Sequence, residues 1–398
     1  MPFISSIRRN YKAIADQQTS GTAQPQFEVT SNADEIVTAG GYVMHIFKNA
    51  GEYTLNVKEI SKSLNNAMAL RGSTLALNYL VIGGGGGGGG THGGGGGGGG
   101  FQFGTAAYSP ATYPVVVGAG NTNISTYGTT CPNGSPTTFA SIVSAGGGGG
   151  ASTNSIQNAS AGGSGGGGGA NSGAPSWGGS QGGAGNTPAT TPPQGTRGGN
   201  GNVSYGSHGS GGAGGASQAG QASNNTAGFG GNGTGGNGAV WPGNGTTYAG
   251  GGGGGAHNGN SWNGVQSGGT GGGGQGGTEG GLGQNGQVAG GGGGGTGHAV
   301  NINSIGATGL VIVSYAVASS DQRLKRNITL IETLANGIKL YSFKYLWSDT
   351  TYVGVIAQEL LGTSFASAVS EHDGYYKVDY NKLGFDLVTL DEYLSVTA

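Results

Sequence analysis

The chain has little charge, almost no cysteine and no long apolar run. Only 8% of its 398 residues are Asp, Glu, Lys or Arg, against about 25% in an ordinary globular protein. The net charge of −2 excludes the basic surface of a nucleic-acid-binding protein. A single cysteine, Cys131, excludes an internal disulfide framework. No 18 apolar residues occur together, and the first 20 residues lack the apolar core of a signal peptide, so neither Sec export nor membrane insertion is predicted.

Signals for a metal or a cofactor are also missing. The six histidines share no metal-ligand spacing, so no metal site is predicted. Any polyglycine tract satisfies the pattern G-x-G-x-x-G, and such a match predicts nucleotide binding only between a strand and a helix. With 11 prolines and no strict period of three, the glycines do not form a collagen triple helix. We therefore expect no cofactor.

Glycine is the abundant residue, and it is concentrated in one block. Of the 98 glycines, 86 lie between Gly83 and Val300, together with twelve aromatic residues and only two charges, Arg197 and Glu279. A flexible linker is one interpretation, because Gly-rich sequence is usually random coil. The other is a packed array of polyglycine II helices, each with three residues per turn and no internal hydrogen bonds. The aromatic residues and the apolar strands that flank the tracts favour packing.

The texture of the sequence divides it into four parts. Residues 1–26 are polar and predict an arm that attaches to a neighbouring protein, whereas 27–82 alternate as three antiparallel strands of a small β domain. Residues 58–78 fit either a short helix or an insertion. Residues 83–317 form the glycine-rich body, and 318–398 have the composition of an α+β module. The predicted fold class is mainly β and irregular.

The α+β module shows a readable order of elements. The spacing of its apolar residues predicts a helix over 328–338, a strand over 341–347, a second helix within 353–361 and a strand at 375–380.

Short motifs in this module resemble the peptidase S74 domain, the C-terminal intramolecular chaperone of phage tail fibres and tailspikes. The resemblance spans about 60 residues, and its motifs are SDQRLKRNI at 320–328, FKY at 343–345, GVIAQE at 354–359 and VDY at 378–380. It implies a chaperone that assists folding of a homotrimer and then cleaves itself with a serine–lysine pair.

Carried onto this chain, the resemblance makes Ser320 the nucleophile and Lys325 the base that cut the Ser319–Ser320 bond. A lysine serves as a base only when burial lowers its pKa towards neutrality. The alternative is that Lys325 is a solvated cation in a basic run. The sequence departs from the family after Tyr380, where long helices that bundle three chains are expected, and this favours a chaperone that stays attached.

The glycine tracts, together with YPVVVGAG at 113–120, resemble the glycine-rich domains of phage tail fibres and adhesins. The resemblance implies polyglycine II helices that carry variable receptor-binding loops. The segments between tracts are rich in Asn, Ser, Thr and Gln with single aromatic residues, a composition suited to sugar recognition. The candidate receptor-binding residues are Trp177, Tyr205, His208, Phe229, Trp241, Tyr248, His257 and Trp262. Each of them has the alternative role of local core at the end of a glycine helix.

The sequence thus predicts a virion protein, a homotrimeric tail fibre or fibre-tip adhesin that binds a host glycan or protein. Cleavage of polysaccharide normally needs two carboxylates, and Glu279 is the only one in the glycine block, so binding without cutting is expected. The partners implied are other copies of the chain, a second phage tail protein held by residues 1–26, and the host surface, with no nucleic acid and no membrane insertion. Two alternatives stay open: a self-cleaving precursor whose chaperone is released, and a purely structural connector or decoration protein.

Overall fold

The computed structural model places most of the chain beyond the first 25 residues. It describes residues 26–39, 42–60, 74–122, 128–153, 158–170, 180–202, 209–226, 229–231, 233–256, 266–278, 280–298, 300, 302, 304–316, 320–346, 350–372, 374–378, 380–385 and 387–397. Almost all of the predicted attachment arm, 1–26, lies outside these residues. Among them, no helix is long and apolar enough to cross a bilayer.

The described elements are twenty short strands and three short helices. The strands are β1 (Gln26–Ser31), β2 (Glu35–Ala39), β3 (Tyr42–Phe47), β4 (Gly51–Ile60), β5 (Leu75–Ile82), β6 (Phe101–Tyr108), β7 (Ala111–Val117), β8 (Thr137–Phe139), β9 (Ile142–Ser144), β10 (Asn224–Thr226), β11 (Phe229–Gly231), β12 (Ala239–Val240), β13 (Thr247–Tyr248), β14 (Leu310–Ala316), β15 (Lys325–Thr333), β16 (Lys339–Tyr345), β17 (Thr351–Gly354), β18 (Val369–His372), β19 (Tyr375–Val378) and β20 (Val388–Thr389). The helices are α1 (Ala357–Leu360), α2 (Tyr380–Leu383) and α3 (Leu390–Thr397). The chain is therefore mainly β and irregular, as predicted.

Two five-stranded antiparallel sheets pack face to face near the start of the chain. Their strand orders are β2-β3-β14-β5-β6 and β1-β4-β7-β8-β9. Alternate residues of each strand point into the space between the sheets, because side chains in a strand alternate between its two faces. The buried residues shared by the two inner faces are Phe47, Leu55, Val57, Leu77, Val81, Tyr108, Val115, Val117, Phe139, Val311 and Val313.

The two sheets include more of the chain than the predicted segment 27–82. That segment contributes β1 to β5, of which the region 27–57 supplies four strands rather than three. The strands β6 to β9 and β14 complete both sheets. Of the ambiguous residues 58–78, those at 58–60 and 75–78 belong to strands, and 61–73 lie outside the described residues.

Glycine tracts leave the ends of these strands and pack against one another. Strand β5 runs into 83–90, the chain turns at Thr91 and His92, and 93–100 returns to β6. Hydrogen bonds join each tract to its neighbours: Gly86 N–H donates to Gly97 O at 2.9 Å, and Gly97 N–H donates to Gly148 O at 2.7 Å. The tract is an ordered part of the body, and the flexible-linker interpretation is wrong for it.

The contacts of the returning tract repeat every three residues. Added methyl groups at Gly94 and Gly97 would meet residues 167 and 164, those at 95 and 98 would meet 252 and 249, and those at 96 and 99 would meet 86 and 83. A period of three is that of the polyglycine II helix. The distances, 1.9–2.3 Å from the nearest carbonyl oxygen, exclude any side chain, which explains why the tract is unbroken glycine.

The C-terminal domain contains a four-stranded antiparallel sheet in the order β15-β16-β17-β20 and the hairpin β18-β19. The predicted strand at 341–347 is confirmed in β16, a predicted helix within 353–361 in α1, and the strand at 375–380 in β19. The core of the domain consists of Ile338, Leu340, Val353, Val355, Ala357, Leu360, Ala368, Val378, Tyr380, Leu383, Phe385 and Tyr393.

The helix predicted over 328–338 is wrong, because β15 occupies this segment up to Thr333 and pairs with β16. The register of β15 shifts between Arg326 and Thr329 and again between Leu330 and Glu332. A bulge inserts an extra residue into a strand, so apolar side chains that alternate by two acquire spacings of three. That spacing is what resembled a helix. Gly337, with φ at +86°, then makes the turn into β16.

Candidate functional site

Ser320 is held between two elements of the C-terminal domain. Its backbone N–H donates to Tyr376 O in β19 at 3.2 Å, and its carbonyl accepts from Ala357 N–H at the start of α1 at 2.8 Å. A 3₁₀ turn over Gln322–Leu324 follows and leads into β15. Both backbone bonds fix Ser320 in the core, where its side chain is fully buried.

The Ser320 hydroxyl has a phenol as its partner. Ser320 Oγ lies 2.9 Å from the Tyr380 hydroxyl, and either oxygen serves as the donor. The Tyr380 hydroxyl also accepts from Val355 N–H at 3.2 Å. Burial raises the pKa of Tyr380, although the bonds from Ser320 and Val355 oppose that shift, so the phenol stays neutral at physiological pH.

Lys325 is the other residue of the predicted catalytic pair, and it is buried, with 6% of its surface exposed. Its Nζ donates to Val355 O at 2.6 Å and lies 3.6 Å from the centroid of the Phe343 ring. Burial lowers its pKa from 10.5 to about 7, although the negative charge of Asp321 opposes the shift. The interpretation of Lys325 as a solvated cation is therefore wrong. A large part of its population is a neutral amine near pH 7, which is the form that accepts a proton.

Asp321 anchors the turn that joins the two residues. Its carboxylate accepts from the backbone N–H and the guanidinium of Arg323 and from Tyr376 N–H, at 2.9–3.0 Å. Burial raises the pKa of Asp321, but these hydrogen bonds outweigh it and hold the pKa well below its usual range. Arg323 also donates to Gly374 O. The ionised carboxylate thus fastens the turn to the hairpin β18-β19.

Val355 connects the predicted nucleophile and the predicted base. Its carbonyl accepts from Lys325, and its N–H donates to the tyrosine that contacts Ser320. In the described part of the chain, Lys325 Nζ donates to Val355 O rather than to Ser320 Oγ. Ser319, on the other side of the predicted cleavage point, lies outside the described residues.

Sequence reasoning assigned no role to Tyr380 or Val355. Both lie in the quoted motifs VDY and GVIAQE, and that position was the available signal. What each one contacts depends on a fold that brings residues 320, 355 and 380 together.

Most of the candidate receptor-binding residues fall outside the described part of the chain, namely Trp177, Tyr205, His208, His257 and Trp262. Phe229 belongs to β11, and its side chain is likewise not described. Trp241 and Tyr248 are described, and both are buried against the β2-β3-β14-β5-β6 sheet, beside Leu80 and Phe101. The two residues thus contribute to a core, and Trp241 in addition borders an open cavity.

Side chains that could hold a metal ion are scarce in the described residues, which contain no group of three or more His, Cys, Asp or Glu suited to it. The nearest approach is a stacked pair in which His298 Nδ1 lies 3.0 Å from His92 Nε2. Glu279 lies outside the described residues.

Comparison with known families gives two matches along the chain. A family described as a glycine-rich domain matches residues 63–316, well over half of the chain. A family described as the chaperone of endosialidase, which is the peptidase S74 domain, matches residues 320–370. No curated protein matches the chain.

The second match covers the segment that holds Ser320, Lys325 and Val355. Chaperone domains of this type act in the assembly of trimeric fibres, which is consistent with self-association of this chain and points to a phage tail fibre-like protein. By the extent of the first match and the position of the second, this protein belongs to the glycine-rich domain family and carries a C-terminal chaperone-of-endosialidase domain.

Proposed function

We propose that the protein is a homotrimeric phage tail fibre or fibre-tip adhesin that binds a receptor on the host surface, with a glycan as the preferred class. The S74 domain assists folding of the trimer, and residues 1–26 attach the fibre to another virion protein. The glycine-rich body then presents the receptor-binding segments.

The observation that carries this proposal is the convergence of segments at one end of the glycine body. Three described residues that flank polar segments meet the turn that follows the first tract: Ala170 N–H and Ser210 Oγ both donate to His92 O, and Gly209 bridges to Ala256. The segments 171–179, 203–208 and 257–265 therefore start or end close together. They contain five of the eight candidate residues.

A rigid base for such segments suits adhesion. Loops held by a scaffold vary in sequence without disturbing it, and here the scaffold is a lattice of backbone hydrogen bonds that involves few side chains. Asn, Ser and Thr in the segments supply hydrogen bonds, and single aromatic residues supply flat apolar faces, the combination that recognises sugar rings.

Adsorption of the purified full-length protein to the host bacterium tests the proposal. We expect binding, inhibition of infection by the purified protein, and loss of both in Trp177→Ala and Trp262→Ala. The matched control is Trp347→Ala, in the C-terminal domain. A protein that neither adsorbs nor inhibits infection would instead be a structural connector or decoration protein.

Self-cleavage is a second candidate function, favoured by the buried Lys325 with its pKa of about 7. Neutral Lys325 would take the proton of Ser320 Oγ, which attacks the carbonyl carbon of Ser319. The Ser319–Ser320 amide would become an ester on Oγ, and the freed Ser320 amine would keep the transferred proton. Water would then hydrolyse the ester, releasing residues 1–319 with a new carboxylate.

Intact mass of the purified chain tests this second function. A fragment of residues 1–319 that disappears in Ser320→Ala and in Lys325→Met supports self-cleavage, whereas a single species of 398 residues in the wild type contradicts it. Because the base must be neutral, we expect the rate of cleavage to rise with pH through about 7 and then to level off.

Self-association as a trimer has its own structural support in the edge of the C-terminal sheet. Strand β15 lies at the end of the strand order, and Leu330 within it and Leu346 near it are more than half exposed. An exposed apolar sheet edge favours contact with another chain. Native mass spectrometry of the full chain is expected to give a trimer that Leu330→Asp dissociates, while Leu282→Asp, in the glycine block, serves as the control.

A further inference from the structure

The outward face of the β2-β3-β14-β5-β6 sheet is covered over only part of its length. Near the glycine body, Trp241 and Tyr248 of the β12-β13 hairpin pack over Leu80, Ile82 and Phe101. Farther along the same strands, the sheet borders a cavity of about 690 Å³. That volume lies within the usual range of small-molecule sites.

A row of polar residues lines this cavity where apolar residues would be expected. Ser314 of β14 pairs with Asn78 of β5, and Asn78 pairs with Thr105 of β6, so the three stand side by side on one face. Thr105 Oγ1 donates to Asn78 Oδ1 at 2.6 Å. The Asn78 amide nitrogen and the Ser314 hydroxyl have no hydrogen-bond partner among the described residues.

Ser314 is the most telling member of this row, because it is only 5% exposed and its side chain still lines the cavity. A buried hydroxyl without a partner costs free energy, and native structures rarely leave one. The row therefore offers a hydroxyl and an amide to a ligand that brings its own donors and acceptors.

Aromatic and apolar residues form the sides of the cavity. Phe103 is 46% exposed and packs edge-on against Phe101 with ring centroids 5.7 Å apart. Trp241 stands opposite the strands, and a methyl group added at Gly243 would lie 2.4 Å from its indole ring, so glycine is required for this close approach. Asn244 Nδ2 donates to the Tyr248 hydroxyl at 2.9 Å, which fixes the hairpin that forms this side.

The lining carries no charged side chain, since its residues are Tyr42, Met44, Asn78, Phe103, Gly104, Thr105, Trp241, Pro242, Gly243, Asn244 and Ser314. An acidic sugar, a phosphate or a charged peptide would enter without a counter-ion, which is costly. A purely apolar side chain of a second copy would leave the Ser314 hydroxyl and the Asn78 amide unpaired. A neutral sugar ring satisfies both features, because its C–H face stacks on an aromatic ring and its hydroxyls pair with the polar row.

We propose that this cavity binds one uncharged saccharide unit, with Phe103 and Trp241 against the ring and Ser314 and Asn78 bonded to its hydroxyls. The inference rests on the proposed adhesin function and places a second contact for the receptor on the sheet, apart from the segments that meet near His92.

Saturation-transfer NMR on the full-length protein tests the site with four probes: the methyl glycosides of glucose, galactose, mannose and N-acetylglucosamine. We expect at least one of them to receive saturation at its ring C–H protons. The affinity should fall about fivefold to tenfold in Asn78→Leu, which removes a hydrogen-bonding group, and by a similar factor in Phe103→Ala. The matched control is Val143→Ala, which changes a side chain of equal exposure on the other sheet and should bind like the wild type.

The site is refuted if no probe is saturated, or if Asn78→Leu and Phe103→Ala bind as well as the control. A Phe103→Ala protein that changes its oligomeric mass without changing glycoside binding would assign the cavity to a contact between copies, and this too overturns the inference. Host adsorption separates the two levels. Adsorption unaffected by the cavity variants removes this site and leaves the adhesin function, whereas glycoside binding without adsorption removes the adhesin function and leaves the site.

Discussion

The hydroxyl groups of Ser320 and Tyr380 lie 2.9 Å apart inside the C-terminal domain, shielded from solvent. This contact closes a path that runs from Ser320 through the phenol to Val355, and through the Val355 carbonyl to the amine of Lys325. Two residues predicted to act together in cleavage are therefore parts of one buried polar cluster. Such clusters are stable only when each group has its partner.

Replacement of Tyr380 by Phe removes one oxygen and leaves two groups without a partner, the Ser320 hydroxyl and the Val355 N–H. We expect a loss of about 1–3 kcal/mol in the free energy of unfolding, measured by denaturant unfolding of the full-length protein. Tyr352→Phe is the matched control, with little expected change. Ser320→Ala combined with Tyr380→Phe should cost less than the sum of the two single changes, and strict additivity would contradict the coupling.

Replacement of Lys325 by Met should stabilise the domain, because it removes a buried group whose charged form is disfavoured. The folded-state pKa, about 7, lies below the unfolded value of 10.5, so the unfolded state binds more protons between these values and stability rises with pH across that window. The gain from Met is therefore largest below pH 7, on the order of 2 kcal/mol after loss of the Val355 bond, and shrinks towards pH 10.

Native-state amide exchange of strand β16 at pH 6 and pH 9 measures this difference as a local opening free energy. Lys339→Met, at a lysine whose side chain is half exposed, is the control and should change stability by less than about 0.5 kcal/mol. An equal gain from Lys325→Met at both pH values would show that Lys325 is not a buried amine with a lowered pKa.

Replacement of Asp321 by Asn should weaken the domain at neutral pH and not in acid. The folded pKa of Asp321 is lowered, so its contribution is complete above the unfolded value of 3.8 and is lost as the pH falls below it. We expect a cost of about 2 kcal/mol at pH 7 and convergence of the two unfolding curves as the pH drops below 4. Asp391→Asn, at an exposed carboxylate, should show no such convergence, and a constant Asp321→Asn difference down to pH 2 would exclude the proposed linkage.

Replacement of Gly96 by Ala should disrupt the glycine body. The added methyl group would lie 2.2 Å from Gly86 O, and neither backbone has room to move within the lattice. We expect a loss of about 3 kcal/mol or more, seen as faster amide exchange across 83–100 and a lower unfolding temperature. Gly362→Ala, with no atom within 4 Å of the added methyl group, is the control and should be neutral. Unchanged protection in Gly96→Ala would contradict the packed array.

The sequence was sufficient for the parts of the fold that depend on composition and short-range pattern. Unbroken glycine flanked by strands predicts polyglycine II packing, because only glycine permits such close approach of backbones. The alternation of residues 341–347 likewise identifies β16. The strand at 325–333 was missed because bulges at Asn327 and near Ile331 disturb its alternation.

Long-range pairing accounts for what could not be predicted. Strand β14 lies between β3 and β5, although the whole glycine block separates it from them along the chain. The roles of Tyr380 and of the row beginning at Ser314 depend on such pairings. No local pattern indicates which distant strand a residue will stand beside, so these two sites appear only in three dimensions.

The period of three in the glycine tracts also restricts how this protein evolves. Removing one glycine turns all later residues of a tract by about 120° and misdirects every bond, whereas removing three shortens the tract by one turn and preserves the facing. Tracts therefore tolerate changes only in whole turns, while the segments that join them accept insertions of any length. Selection for new hosts then acts through exchange of the joining segments, and descendants with unrelated surfaces keep the same glycine lattice.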